Sequence, residues 1–211
     1  MRRSPMPPRR RSPRADSEIC LEAFLVSTGV VALGEMGDKT QLLAMLLAIR
    51  FRRPVPIIAG IFVATLLNHA GAGWLGGWVA GAFGPNLLRW VIGLSFIAMA
   101  GWMLVPDRID EDDATSKPLR FGVFGTTLVA FFLAEMGDKT QIATVALAAR
   151  YQDLVSVVAG TTLGMLIADV PAVFIGETIA RKVSMRLVHG IAAAIFAGLG
   201  VLTLLNVGKL F

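Results

Sequence analysis

The seven residues Glu-Met-Gly-Asp-Lys-Thr-Gln occur twice, at 35–41 and again at 135–141. Each copy sets two carboxylates, an ammonium, a hydroxyl and an amide inside an otherwise apolar stretch. On a helix, residues three and four apart lie about 60° and about 40° from each other around the axis. Glu35, Asp38 and Lys39 therefore share one face with Gln41 at its edge, and Glu135, Asp138, Lys139 and Gln141 repeat that face. Carboxylate, amide, hydroxyl and carbonyl oxygens suit hard cations such as Ca2+, Mn2+ or Mg2+, whereas zinc or copper sites use His or Cys, which neither copy has. We take Glu35, Asp38, Gln41, Glu135, Asp138 and Gln141 as the candidate metal ligands. Lys39, Thr40, Lys139 and Thr140 support them. Gly37 and Gly137 sit between the acids, where a local break costs little and frees carbonyl oxygens as further ligands.

A charge at the middle of a bilayer costs about 2.5–3.5 kcal/mol on insertion scales, so the six motif charges cost roughly 15–20 kcal/mol before compensation. Placement against lipid tails is excluded, and the charges must face each other, water or an ion. A single Glu–Lys pair at this spacing is most simply a lock between two helices. Two identical copies brought together point instead to an intramembrane ion site. A scaffold whose buried pairs only assemble helices is the blander reading, and unimpaired transport after mutation of both motifs would favour it.

The elements that must carry these residues are membrane spans. Hydrophobic residues make up 55% of the 211, charged residues only 17%, and the mean hydropathy is +0.67. Six apolar segments run roughly over 19–49, 55–80, 87–105, 121–149, 154–180 and 187–207. The first and fourth hold about thirty residues, enough for about 45 Å of helix against a hydrocarbon core near 30 Å, so each must tilt steeply or break. One cysteine, Cys20, excludes an intrachain disulfide and a cysteine metal cluster. The composition also excludes a nucleic-acid-binding domain. Much of the net charge of +5 sits in the first fourteen residues, which hold six arginines and four prolines. We read residues 1–18 as a disordered tail. It is not a cleaved signal, since Glu22 interrupts the apolar run and no small-residue cleavage site follows.

Residues 31–50 align with 131–150 at an offset of 100, and Ala59–Gly60 and Phe96 meet Ala159–Gly160 and Phe196 at the same offset. We read a duplication: a first three-helix repeat at 19–105, an acidic linker at 106–120 and a second three-helix repeat at 121–211. Three spans is an odd number, so the second repeat enters the membrane from the opposite side. The fold class is an all-α integral membrane protein of six transmembrane helices in two inverted repeats, an architecture of many secondary transporters. Lys and Arg divide evenly between the two sides of such a topology; leaving out the tail, they place the central linker in the cytoplasm.

The double Glu-x-Gly-Asp-Lys-Thr motif, in a six-span chain of this size, resembles the transmembrane protein 165 / GDT-type family of cation exchangers. Glu35, Gly37, Asp38, Lys39, Thr40 and Glu135, Gly137, Asp138, Lys139, Thr140 match the pattern fully, and the resemblance covers nearly the whole chain after the tail. It implies transport of Mn2+ or Ca2+ coupled to protons. For a bacterial member it implies manganese export across the inner membrane by a multi-pass protein. The Arg/Pro-rich tail lies outside the pattern.

Several other polar residues fall within the spans. Asp169 and His69 occupy equivalent positions in the second helix of each repeat. Asp169 is costly there and is a further candidate to line the pathway, while a lone His such as His69, and Asn68 beside it, more often bond helix to helix. Glu177 lies near a span end. Met36 and Met136 flank the acids as packing residues, though a thioether facing the site would favour Mn2+ over Ca2+. Trp74, Trp78, Trp90 and Trp102 fit interfacial belts. A competing class is an intramembrane enzyme such as a lipid-phosphate phosphatase. Phosphate chemistry uses a mid-membrane Arg and often a nucleophile, and the arginines here lie at span ends with no Ser–His pair near the motifs. The expected protein is thus not an enzyme and needs no cofactor. Its partners are the lipid bilayer, a divalent metal ion and protons, and no nucleic acid. Four motif carboxylates against two lysines leave two negative charges, which one divalent cation or two protons neutralise, so the residues suit exchange.

Overall fold

A computed structural model describes residues 13–104, 122–175 and 185–206. Most of the Arg/Pro-rich tail, the acidic linker and Glu177 lie outside the described residues. The described chain is helical: α1 (Pro13–Glu35), α2 (Lys39–Phe51), α3 (Pro54–Ala82), α4 (Pro85–Met103), α5 (Gly122–Glu135), α6 (Lys139–Tyr151), α7 (Leu154–Ile175) and α8 (Met185–Leu204). α1 begins at Pro13, earlier than the boundary expected after residue 18. Proline is tolerated at a first helical position because its missing N–H would be unpaired there in any case.

Both over-long apolar segments are broken rather than tilted. The first becomes α1 and α2, the second α5 and α6. Five helices are long and apolar enough to cross a membrane: α1 from Ser17, α3, α4, most of α7 and α8 from Leu187. α5 is apolar but has only 14 residues, about 21 Å at 1.5 Å per residue, short of a hydrocarbon core near 30 Å. The sixth span expected over 121–149 is therefore divided between two short helices.

The two halves end their short helices alike. Arg52 and Gln152 both stand at φ 52°, and each donates its backbone N–H to the carbonyl four residues back, Ala48 or Ala148, at 2.9 Å. This left-handed residue closes the last turn and leads into α3 or α7.

Packing is exchanged between the halves. α1 lies on α7 and α5 on α3; α2 lies on α7 and α6 on α3; α3 meets α7, and α4 meets α8. The α4–α8 seam carries Phe96 against Phe196, both buried, with ring centroids 6.1 Å apart. Small residues set the closest approaches. A methyl at Gly60 would stand 3.0 Å from the Phe124 carbonyl, and one at Gly160 would stand 2.5 Å from the Phe24 carbonyl. These are the same contact in the two halves, and they bring backbones together as small residues do in membrane bundles. The match is not complete: α8 lies against α1, while its counterpart α4 lies against α6.

Gly160→Val should therefore destabilise the bundle by about 1–3 kcal/mol through overpacking. Gly101→Val, at a position where an added methyl meets nothing within 4 Å, should not. Thermal midpoints of the detergent-solubilised variants test this, and equal midpoints would contradict the packing.

Candidate functional site

Each motif copy builds the same turn. α1 ends at Glu35, Gly37 takes φ 83°, Asp38 is extended at φ −80° and ψ 170°, and α2 begins at Lys39. In the second copy Gly137 takes φ 80°, Asp138 stands at φ −76° and ψ 168°, and α6 begins at Lys139. A residue with a Cβ would be strained at those glycines. The amides of Asp38 and Asp138 donate to the carbonyls of Glu35 and Glu135 at 3.0 and 3.1 Å. Gln41 and Gln141 accept from the N–H of Gly37 and Gly137 at 3.1 and 2.7 Å. This resembles a capping box, in which the third residue of the helix reaches back to the entering chain. Thr40 and Thr140 donate to Glu35 Oε2 and Glu135 Oε2 at 2.7 and 3.2 Å. The motif is thus largely self-bonded, with its Thr, its Gln and its backbone amides holding the acids at a helix break. One difference stands out: Asp38 Oδ1 accepts from the Lys39 N–H at 2.7 Å, whereas the Asp138 side chain makes no such cap.

The two turns meet. Lys39 Nζ lies 3.3 Å from Asp138 Oδ1, and Lys139 Nζ lies 3.7 Å from Asp38 Oδ2, so each lysine pairs with the aspartate of the other copy. Glu35, Asp38 and Asp138 each offer a carboxylate oxygen within 4.8 Å of the other two, and all three residues are buried. Oxygens so spaced can surround one ion with metal–oxygen distances near 2.1–2.6 Å. Glu135, 1% exposed, is close enough for the charges of Glu35, Asp38 and Asp138 to act on it. Among the described residues, Glu35 Oε1 and Glu135 Oε1 have no hydrogen-bond partner. Buried acceptors of this kind are expensive unless a ligand or proton satisfies them.

α3 and α7 wall the cluster. Gln41 donates to the Ala168 carbonyl at 3.0 Å, and Gln141 donates to Asn68 Oδ1 at 3.4 Å, a matched pair of contacts across the halves. Asn68 in turn donates to the Phe132 carbonyl at 3.1 Å, the helix-to-helix bond expected of it. Asp169, next to Ala168, is fully buried, neither of its oxygens is hydrogen-bonded among the described residues, and its charge interacts with Glu35 and Glu135. His69, its counterpart on α3, is equally buried, and neither ring nitrogen has a partner among the described residues. Met36 is partly covered and Met136 is 56% exposed.

Two further polar residues were not singled out by sequence reasoning. His189 of α8 lies with Nε2 3.0 Å from the Met36 carbonyl. Arg150, expected at a span end, is buried in the last turn of α6 and donates to Thr203 Oγ1 at 2.7 Å. The available signal for Arg150 was its match to Arg50 in the repeat. His189 had none, since its counterpart is Arg89.

A family described as the divalent cation/proton antiporter GDT1 matches residues 23–111 and 123–209, covering both copies of the motif. A Vibrio cholerae protein named "Putative manganese exporter" is 50% identical over 181 residues, which cover 85% of this chain and 89% of that protein. A GDT1-like protein of Synechocystis is 28% identical over 83% of this chain and 93% of its own length. GDT1-like protein 3 of Oryza sativa subsp. japonica is 26% identical over 85% of this chain and 72% of its own length. No solved structure matches the chain. Matched across both halves and sharing half of its aligned residues with the Vibrio relative, the chain belongs to the GDT1 family of divalent cation/proton antiporters, transporters rather than enzymes.

Proposed function

We propose that the chain exports a divalent cation, Mn2+ ahead of Ca2+, in exchange for protons across the inner membrane. The observation that carries this reading is the convergence of Glu35 and Asp38 from one motif copy with Asp138 from the other. Glu35, Asp38, Glu135 and Asp138 are the ion-binding carboxylates, with Asp169 adjoining them. Gln41 and Gln141 hold the two turns through bonds to Gly37, Gly137, Ala168 and Asn68, and each amide oxygen keeps a second lone pair with which to complete the ligand set. All-oxygen ligation suits Mn2+ and Ca2+ alike; the preference for Mn2+ rests on the name of the Vibrio relative.

In this reading α1 with α2, and α5 with α6, are the two broken spans of an inverted repeat. Their breaks lie near the midplane, and the positive ends of α2 and α6 begin at the site. The lysines are committed to aspartates of the opposite copy. Two negative charges then remain on the four motif carboxylates, and a buried site of low dielectric disfavours leaving them uncompensated. One divalent cation or two protons supply the compensation, so the loaded forms are stable and the empty form is costly. That is the condition for obligatory exchange of about two protons per ion by this count. An ionised Asp169 in the same site would raise the proton number.

Asp38→Asn or Asp138→Asn should abolish metal flux while the protein still inserts, since Asn keeps the shape and removes the charge that a hard cation needs. Normal Mn2+ flux through either variant in proteoliposomes would remove these residues from the site.

Reconstituted protein should carry Mn2+ when driven by a pH gradient alone, with little response to a clamped voltage, and should be assayed against Ca2+ and Mg2+ in parallel. Flux that follows voltage and ignores the pH gradient would replace exchange with a channel or uniporter.

A further inference from the structure

We infer that His189 is a positioning residue of the ion site: it holds the first helix break in place and keeps the Met36–Gly37 turn covered. The inference rests on the ion site proposed above; it concerns the backbone carbonyl of Met36, and His189 itself lies outside both motif copies. Met36 is the first residue beyond α1. Its carbonyl belongs to the end of a helix, where the last carbonyls have no partner within the helix and carry the negative end of the dipole. A carbonyl can only accept, so His189 donates its Nε2–H across the 3.0 Å contact. Capping of last-turn carbonyls by His is a recognised way to end a helix. Here the cap comes from α8, 153 residues along the chain, and it fixes the residue that precedes Gly37 and Asp38.

The two halves differ in step with this contact. The position on α4 that matches His189 is Arg89, and α4 lies against α6, whereas α8 lies against α1. Where His189 reaches, Met36 and Gly37 are partly covered. In the other half Met136 is 56% exposed and Gly137 is exposed. The ion pairs are unequal as well: Lys139 and Asp38 are 1% and 0% exposed, against 35% for Lys39 and 5% for Asp138. An ammonium one-third exposed inside a membrane must face water and not lipid. Lys39 belongs to the first copy, but its ammonium reaches across to Asp138 of the second, 3.3 Å away; the exposed Met136, two residues before Asp138, lies on that wet side, and the Met36–Gly37 turn held by His189 is the covered one.

The test uses full-length chains in which the lone Cys20 is replaced by Ser, carrying Met36→Cys or Met136→Cys. A small water-soluble methanethiosulfonate reagent should label Met136→Cys at least about tenfold faster than Met36→Cys. Adding His189→Phe, which fills the space without a donor, should bring Met36→Cys up to the rate of Met136→Cys. Adding His189→Gln, whose amide N–H can replace the imidazole donor, should keep it slow. If Phe does not fit beside α1, His189→Leu is read in the same way. In the Met36 and Met136 background, loss of one such hydrogen bond should raise the KM for Mn2+ about five- to tenfold with the maximal rate within about twofold, and His189→Gln should restore it. Equal labelling of the two cysteines in the presence of His189, or continued protection of Met36→Cys after its removal, overturns the inference. Labelling needs no transport. The expected labelling in a chain that moves no metal would sink the ion reading and leave the role of His189 at the break standing.

Discussion

Two lysine–aspartate pairs crossing between the motif copies are the constraint on which the rest of the structure depends. An ammonium or a carboxylate alone in a bilayer is intolerable, and within one heptamer Asp and Lys are neighbours in sequence that a helix start points apart. Pairing Lys39 with Asp138 and Lys139 with Asp38 solves this only if the two turns face each other. That in turn requires α1 to lie on α7 and α5 on α3, and it requires Gly60 and Gly160 where those backbones approach most closely. What remains after the pairing is a cluster of carboxylate oxygens drawn together by lysines too few to neutralise them.

The helix break converts this charge cluster into a site with direction. Gly37 and Gly137 turn the chain, Gln41 and Gln141 tie the turn from inside, and the two threonines hold one oxygen of each glutamate. The second oxygen of Glu35 and of Glu135 has no hydrogen-bond partner among the described residues. A motif of seven residues therefore contains both the acids and the scaffold that aims them, which accounts for its repetition as a block while the helices around it differ.

Much of this was legible in the sequence. The Glu, Asp and Lys repeated at an offset of 100 singled out residues that the fold brings together, and Gly37 and Gly137 within runs too long for one straight helix marked where a break could fall. The bonds that Gln41 makes were not legible: its tie to the Gly37 N–H depends on the break itself, and its second partner, the Ala168 carbonyl, is 127 residues away. The shortness of α5 was hidden because α5 and α6 together read as one apolar stretch. His189 and Arg150 escaped for a related reason, since each acts through a bond to a distant helix and neither carries a periodicity.

The exchanged packing also governs the order in which the protein can be made. Synthesis delivers α1 to α4 to the membrane before α5 to α8 exist, yet Asp38 and Lys39 find their compensating charges, and Gly60 its close neighbour, only in the second half. The amino-terminal half must therefore wait in the bilayer or the insertion machinery with Asp38 and Lys39 unpaired and its helix surfaces uncovered. Neither repeat is a domain in the sense of a unit with its own interior. The protein reaches its structure when the second copy closes over the first, and a chain interrupted between them is left as two incomplete surfaces rather than one working half.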